Sequence, residues 1–185
     1  MQDGDRSERS LTWAGCLGAR SAPVLIYYRG MTPLTDSQGN QAIDVSPVNQ
    51  SNWRAVVALE VAPAQQAFVA VPSYYLALCC YGGTWQPLAF TLADQVIGFG
   101  MWGVDPADSS CWLGGILIAT AFQGRGHGKE AVRQTIATLS KTHGYKDFAL
   151  SYAAENVRAR QVYTSLGFQE TGESQDDEWV ARLHL

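Results

Sequence analysis

The sequence predicts a mixed α+β domain. It is built on one largely antiparallel sheet flanked by helices, in the order β-α-α-β-β-β-α-β-α-β-β. Three observations carry this. Two apolar stretches, "WQPLAFTL" and "QVIGFGMWGV", meet at "ADQ" and read as a hairpin. A continuous apolar run, "CWLGGILIA", suits a central strand buried on both faces. The glycine-rich turn "QGRGHGKEA" then leads into Val132, Ile136 and Leu139, spaced i, i+4, i+7 as on one face of a helix.

The remaining elements follow in order. "QAIDVSPV" is a short strand candidate. "NQSNWRAVVALEV" places Trp53, Val56, Val57 and Leu59 near helical spacing. "AQQAFVAVPSYYLALCCY" reads as a second helix, interrupted or kinked around Pro72. In the hairpin, Ile97, Phe99 and Met101 fall on one face. Gly114 and Gly115 inside the central strand predict a bulge or a close backbone approach. After the glycine turn and its helix, "DFALSY" is the next strand. "ENVRARQVYTSL" carries Ala159, Val162, Tyr163 and Leu166 on one helical stripe, ended by Gly167. "FQETGE" and "EWVARLHL" close the sheet through the polar "SQDD". Residues 1–40, with "GDRSERS", "GARSAP" and "PLTDSQGN", read as a loosely ordered extension. Within it only "VLIYY" has strand character. Residues 41–185 form the predicted domain.

Composition narrows the function classes. Of 185 residues, 46% are apolar and 16% charged, enough for a real core, and the net charge is -4. An acidic chain argues against nucleic acid or an anionic membrane as partner. No apolar run approaches the ~20 residues of a membrane span, and no apolar segment after the charged N-terminus resembles a signal sequence. Cys16, Cys79, Cys80 and Cys111 show no metal spacing, and His127, His143 and His184 are scattered, so no metal site is expected. Reduced thiols in a cytoplasmic protein are the simplest reading.

The glycine turn carries the chemistry. A helix N-terminus leaves backbone N–H groups unpaired and carries partial positive charge. Glycines let a ligand approach that backbone, which makes an anion cradle suited to pyrophosphate. From Arg125 to Lys146 there are five Lys or Arg residues against one acid, Glu130, in a chain that is acidic overall. The turn is not a P-loop, because Glu130 stands where the Ser or Thr for Mg²⁺ belongs and Gln123 where the first glycine belongs. It is not the dinucleotide fingerprint either, since Gly124, Gly126 and Gly128 alternate.

A second segment makes the pattern specific. Gln123-x-x-Gly126-x-Gly128, with Ile118 five residues earlier, resembles the acetyl-CoA pyrophosphate loop of the GCN5-related N-acetyltransferase (GNAT) superfamily. Asn156-x-x-Ala159-x-x-x-Tyr163-x-x-x-Gly167-Phe168 resembles the second motif of that superfamily. The two halves stand in the expected order, and the resemblance covers Gln41 to Leu185. It implies a GNAT-like fold, acetyl-CoA as acyl donor and no metal. It further implies that the strand around Leu117 and Ile118 pairs with the pantetheine arm. Gln123 and the turn Gly124, Arg125, Gly126, His127, Gly128 and Lys129 would hold the pyrophosphate. Asn156 would bind the cofactor and Tyr163 would stand near its sulfur as the catalytic acid. From its residues alone, Asn156 also reads as a helix N-cap, and Tyr163 as a core aromatic.

"NWRAVVALEVAPAQQAFVA", "GFGMWGVDP" and the closing "TGE" look most like the spermine/spermidine acetyltransferase branch. The expected activity is therefore direct acetyl transfer to a primary amine of a small, polyamine-like molecule, with a homodimer as an open expectation. That branch typically carries an acid on the strand before the turn, where this chain has Gly114-Gly115 and Ala119. The departure keeps two alternatives in view: a non-catalytic acyl-CoA-binding module, and an acetyltransferase for a protein or aminoacyl group. It also predicts weak binding of polycations and a base drawn from Glu155, Asp105 or solvent. Trp53, Phe68, Tyr74, Tyr75 and Trp102 read mainly as core but could wall an acceptor pocket, and the acidic "ESQDDE" reads as a solvated hairpin that could also attract a cationic substrate.

Overall fold

The computed structural model describes residues 42–185. The extension over residues 1–40, with "VLIYY" and Cys16, lies outside the described residues. The elements are β1 (Asp44–Pro47), α1 (Trp53–Val57), α2 (Pro72–Tyr81), β2 (Gln86–Leu92), β3 (Gln95–Val104), β4 (Cys111–Ile118), α3 (His127–His143), β5 (Asp147–Ala153), α4 (Val157–Ser165), β6 (Gln169–Gln175) and β7 (Glu178–His184). This is the predicted order. The strands form one sheet, β1-β2-β3-β4-β5-β7-β6. Every pairing is antiparallel except β4 with β5, which are joined through α3 as a parallel pair requires.

Alternation along the strands gives the sheet two apolar faces. On one, α1 and α2 bring Val56, Leu59 and Leu76 against Ala89, Phe99, Met101 and Leu117. On the other, α3 packs Val132, Ile136 and Leu139 against Leu113, Phe148 and Leu150, and α4 adds Ala159, Tyr163 and Leu166. The stripe read from the sequence of α3 is the buried one. The hairpin turn at Ala93-Asp94 has positive φ at both residues (47° and 66°), as a tight two-residue connection between twisted strands needs.

Before β2, the structure shows an interruption rather than a kink. Pro72 does not kink a helix there but starts one, as the first residue of α2. Proline has no N–H to lose at that position and its φ already suits a helix. It also disfavours helical backbone in the residue before it, and Val71 is accordingly extended, with ψ 146°. Only a single 3-10 turn, Pro63–Gln65, forms upstream. The chain then continues in turns, Phe68 N and Val69 N donating to Gln65 O at 2.9 and 3.2 Å, and Phe68 and Val69 line the cavity described below.

The bulge predicted at Gly114-Gly115 is present. Pairing between β3 and β4 slips between Phe99 and Met101, and Gly115 has φ +59°. A Cβ at Gly115 would stand 3.3 Å from the Tyr75 ring, and one at Gly114 would stand 3.2 Å from Trp85 and Met101. The two glycines thus make room for an aromatic wall. Left-handed backbone costs a residue with a Cβ about 1–2 kcal/mol. Gly115→Ala should therefore lower Tm by about 2–8 °C for a chain of this size. An unchanged Tm in differential scanning calorimetry would contradict this role.

Candidate functional site

β4 and β5 pair at only two positions, Cys111 with Phe148 and Trp112 with Ala149. Beyond Trp112 the strands part, and the edge of β4 facing β5 has no strand partner. A cavity of about 630 Å³ opens at this gap. That is within the size range of small-molecule sites.

The glycine turn forms one end of it. Gly124 and Gly126 have φ +75° and +82°, and Gly126 is the N-cap of α3. No side chain caps this helix, and the first amide to reach a helical carbonyl is that of Glu130, on Gly126 O at 3.1 Å. A Cβ at Gly124 or Gly126 would meet nothing within 4 Å, so the space above the turn is open. The amides of residues 127 to 129 are thus presented to that space at the positive end of a 17-residue helix. Gln123 does not point outward. Its Nε2 donates to Ile118 O at 2.7 Å and to Gln65 Oε1 at 2.5 Å, which fastens the turn to the end of β4.

Of the residues predicted for the site, Leu117, Ile118, Gln123, Gly124, Gly126, His127, Gly128, Lys129, Asn156 and Tyr163 all line the cavity. Arg125 is in the turn but exposed and does not line it. Asn156 is the N-cap of α4, its Oδ1 accepting from Ala159 N at 3.1 Å. It is therefore both a cap and a cavity residue. Tyr163 lies on α4, with the Tyr152 and Phe168 rings 5.6 and 6.0 Å away. Burial, and then the negative charge of Glu178, push its hydroxyl well above the ordinary tyrosine range, so it holds its proton at any physiological pH.

One expectation needs correction. Glu155 and Asp105 do not reach the cavity. Glu155 is exposed before α4, and Asp105 is in the β3–β4 turn, accepting from Ala107 N at 2.8 Å. The "ESQDDE" hairpin is largely exposed, as read, and it also places Asp176 and Glu178 on the cavity lining. Glu178 Oε2 accepts from Ser151 Oγ at 2.5 Å. An acid absent from β4 is therefore supplied by β7. The acidity of the hairpin is the local signal; which acid faces the gap is set by the pairing of β7 with β5, where Glu178 faces Ala153. Phe68, Tyr75, Trp85 and Met101 wall the same chamber, whereas Trp53 and Tyr74 are exposed and Trp102 packs on His143 and Tyr145.

Residues 47–168 match the Acetyltransferase (GNAT) family. The chain belongs to that family. It is 25% identical over 138 residues to the spermine/spermidine N(1)-acetyltransferase of Bacillus subtilis (strain 168), covering 71% of this chain and 91% of that protein. Among solved structures it resembles the spermidine N-acetyltransferase of Vibrio cholerae in complex with CoA and spermine. The TM-score is 0.60 at 15% identity, covering 77% of this chain and 94% of that one. It also resembles AAC(6')-Ib in complex with parmomycin and acetyl-CoA, with TM-score 0.67 at 14% identity over 78% and 94%. At such identities the structures establish the acetyltransferase fold. No helix among the described residues is long and apolar enough to cross a membrane.

The protonated tyrosines carry a stability consequence. Burial and the Glu170 carboxylate beside it raise Tyr152 to about 12, and Tyr163 is raised as well. Unfolded tyrosines titrate near ~10. Between roughly pH 10 and 12 the folded state binds more protons than the unfolded one, so stability falls as pH rises through that window. Below it the contribution is complete. The double variant Tyr152→Phe, Tyr163→Phe should show a shallower alkaline loss in denaturant titrations. A loss identical to the parent's would contradict the assignment.

Proposed function

We propose that this acetyltransferase moves an acetyl group from acetyl-CoA to the primary amine of a small molecule, directly, within a ternary complex. One observation carries the reading. A single cavity runs from the amide cradle of α3 past Tyr163 to a chamber walled by aromatics and Glu178. The donor fits the first part. The glycine turn offers an anion amides and open space, and the unpaired edge of β4 from Leu113 to Ile118 offers an extended arm a backbone to pair with. Gln123 would act by holding the turn, and Asn156 by fixing the start of α4 beside the cavity.

Bound acetyl-CoA supplies an activated acyl carbon and a thiolate leaving group. Tyr163 keeps a proton where that leaving group needs one. Direct transfer fits the thiols among the described residues. Cys79, Cys80 and Cys111 do not line the cavity, and burial raises Cys79 and Cys111 to about 11 and about 12, so neither of those two is a thiolate nucleophile at neutral pH. The relatives named above support an amine acceptor: one is named for spermine and spermidine, and one structure contains spermine. The non-catalytic alternative loses its ground, because Gly114-Gly115 marks packing space beside Tyr75 and Trp85.

Release of free thiol from acetyl-CoA, measured against a panel of alkylamines, tests the activity. Amine-dependent release is expected, and its absence across the panel would overturn the reading. Gly126→Glu puts a negative side chain above the turn, and CoA affinity by calorimetry should fall sharply with the fold intact; unchanged affinity would move the donor elsewhere. Tyr163→Phe should lower kcat by about 10²–10⁴-fold, the usual worth of a general acid, with little change in the KM for acetyl-CoA. A variant turning over at the parent rate would leave Tyr163 a packing residue only.

A further inference from the structure

We infer that Glu178 is the anchor for the cationic head of the acceptor, and that the acceptor is an alkylammonium compound whose apolar body lies against Tyr75 and Phe68. The inference rests on the amine-acceptor reading above and adds the residue and the kind of molecule it selects.

Position comes first. The β5–β7 register puts Glu178 opposite Ala153 and Ser151 opposite Val180, so Glu178 and Ser151 share one face of the sheet. Phe148, Leu150 and Tyr152 alternate to the other face, where α3 and α4 pack. Glu178 therefore stands on the face of α1 and α2, with Tyr75, and across the gap from the glycine turn. Tyr163 reaches the same opening from the α4 side, near enough for Glu178 to be the largest charge acting on its hydroxyl. A group held by Glu178 meets the cavity from the side opposite the donor cradle.

Charge comes second. Four charged residues line the cavity: Lys129, Arg158, Asp176 and Glu178. Three of these are exposed and only Glu178 is half-buried. Among the described residues it makes no ion pair, and Ser151 is its one hydrogen-bond donor. A carboxylate withdrawn from water without a cation is costly. Ser151 satisfies one oxygen and fixes the rotamer. The other oxygen is left to a partner that the protein does not supply. A protonated amine is such a partner, since alkylammonium groups titrate near ~10 and are charged at neutral pH; it binds as the ammonium ion and releases a proton to solvent before the neutral nitrogen attacks the thioester. The cavity that Glu178 lines is also walled by Tyr75, Phe68, Trp85 and Met101, and Tyr75 is near enough for Glu178 to act on its hydroxyl. Such a wall suits methylenes or an aromatic ring and lets a cation rest on a ring face. Glu178 thus selects for one positive head on an apolar stem.

The test compares two acceptors in the purified chain with acetyl-CoA. Phenethylamine is an ammonium ion at neutral pH, whereas trifluoroethylamine is weakly basic and neutral there. A hydrogen bond to a charged group is worth about 10- to 150-fold in affinity. Glu178→Gln should raise the KM for phenethylamine by about that factor, with kcat changed less, and leave the KM for trifluoroethylamine within about twofold. Glu178→Asp should recover part of the difference. CoA affinity by calorimetry should match the parent, which reports an intact donor site and fold. Equal changes for both amines, or none for phenethylamine, would overturn the inference while leaving the activity itself standing. If the parent acetylates no amine, the amine-acceptor reading fails first, and this assignment falls with it. Should Glu178→Gln not fold, Ser151→Ala frees the same carboxylate, and it should raise the KM for phenethylamine selectively by a smaller factor. An unselective change there would equally overturn it.

Discussion

Two strands that run parallel and then separate decide what the rest of this molecule can do. β4 and β5 share only two residue pairs before the bulge at Gly115 turns β4 away. A sheet that stayed paired would bury its centre on both faces and leave no passage. Here the parted strands expose one edge of β4 and let a cavity pass through the sheet. The glycine turn, held to the end of β4 by Gln123, lies on one side of that passage, and the aromatic chamber on the other.

The passage is also electrically ordered. Positive potential comes from unpaired amides at the start of α3, and it is assisted by Lys129. Negative charge comes from the β6–β7 hairpin, through Asp176 and Glu178. Tyr163 sits between, kept neutral by burial and by the nearby carboxylate. A neutral hydroxyl there can donate a proton, which a tyrosinate could not. Such an arrangement suits a reaction that brings an anionic donor and a cationic acceptor together from opposite faces.

Much of this was legible in the sequence, and the limits have physical causes. The element order could be read because each long element advertises its own period: alternation in β2 and β3, i, i+4 spacing in α3. The cradle could be read because its glycines and the helix that follows are contiguous. At Pro72 an interruption and a kink could not be told apart from sequence, since a proline inside an apolar run signals a helix start as well as a kink, and only the extended Val71 distinguishes them. Glu178 was legible only as one acid of a hairpin able to attract a cation, because its place depends on which strand β7 pairs with and in what register. The missing acid at Gly114-Gly115 was read as it stands, but the packing of Tyr75 and Trp85 over those glycines needed the fold.

The central claim is that the donor occupies the gap between β4 and β5 and is held by the glycine turn. Backbone amide shifts in an NMR titration of the chain with CoA test it most directly. The account predicts the largest shifts at residues 124 to 129 and along the unpaired edge of β4 from Leu113 to Ile118. Shifts concentrated instead at the smaller hollow beside Asp147, Gln169 and His184, with the glycine turn unmoved, would contradict it.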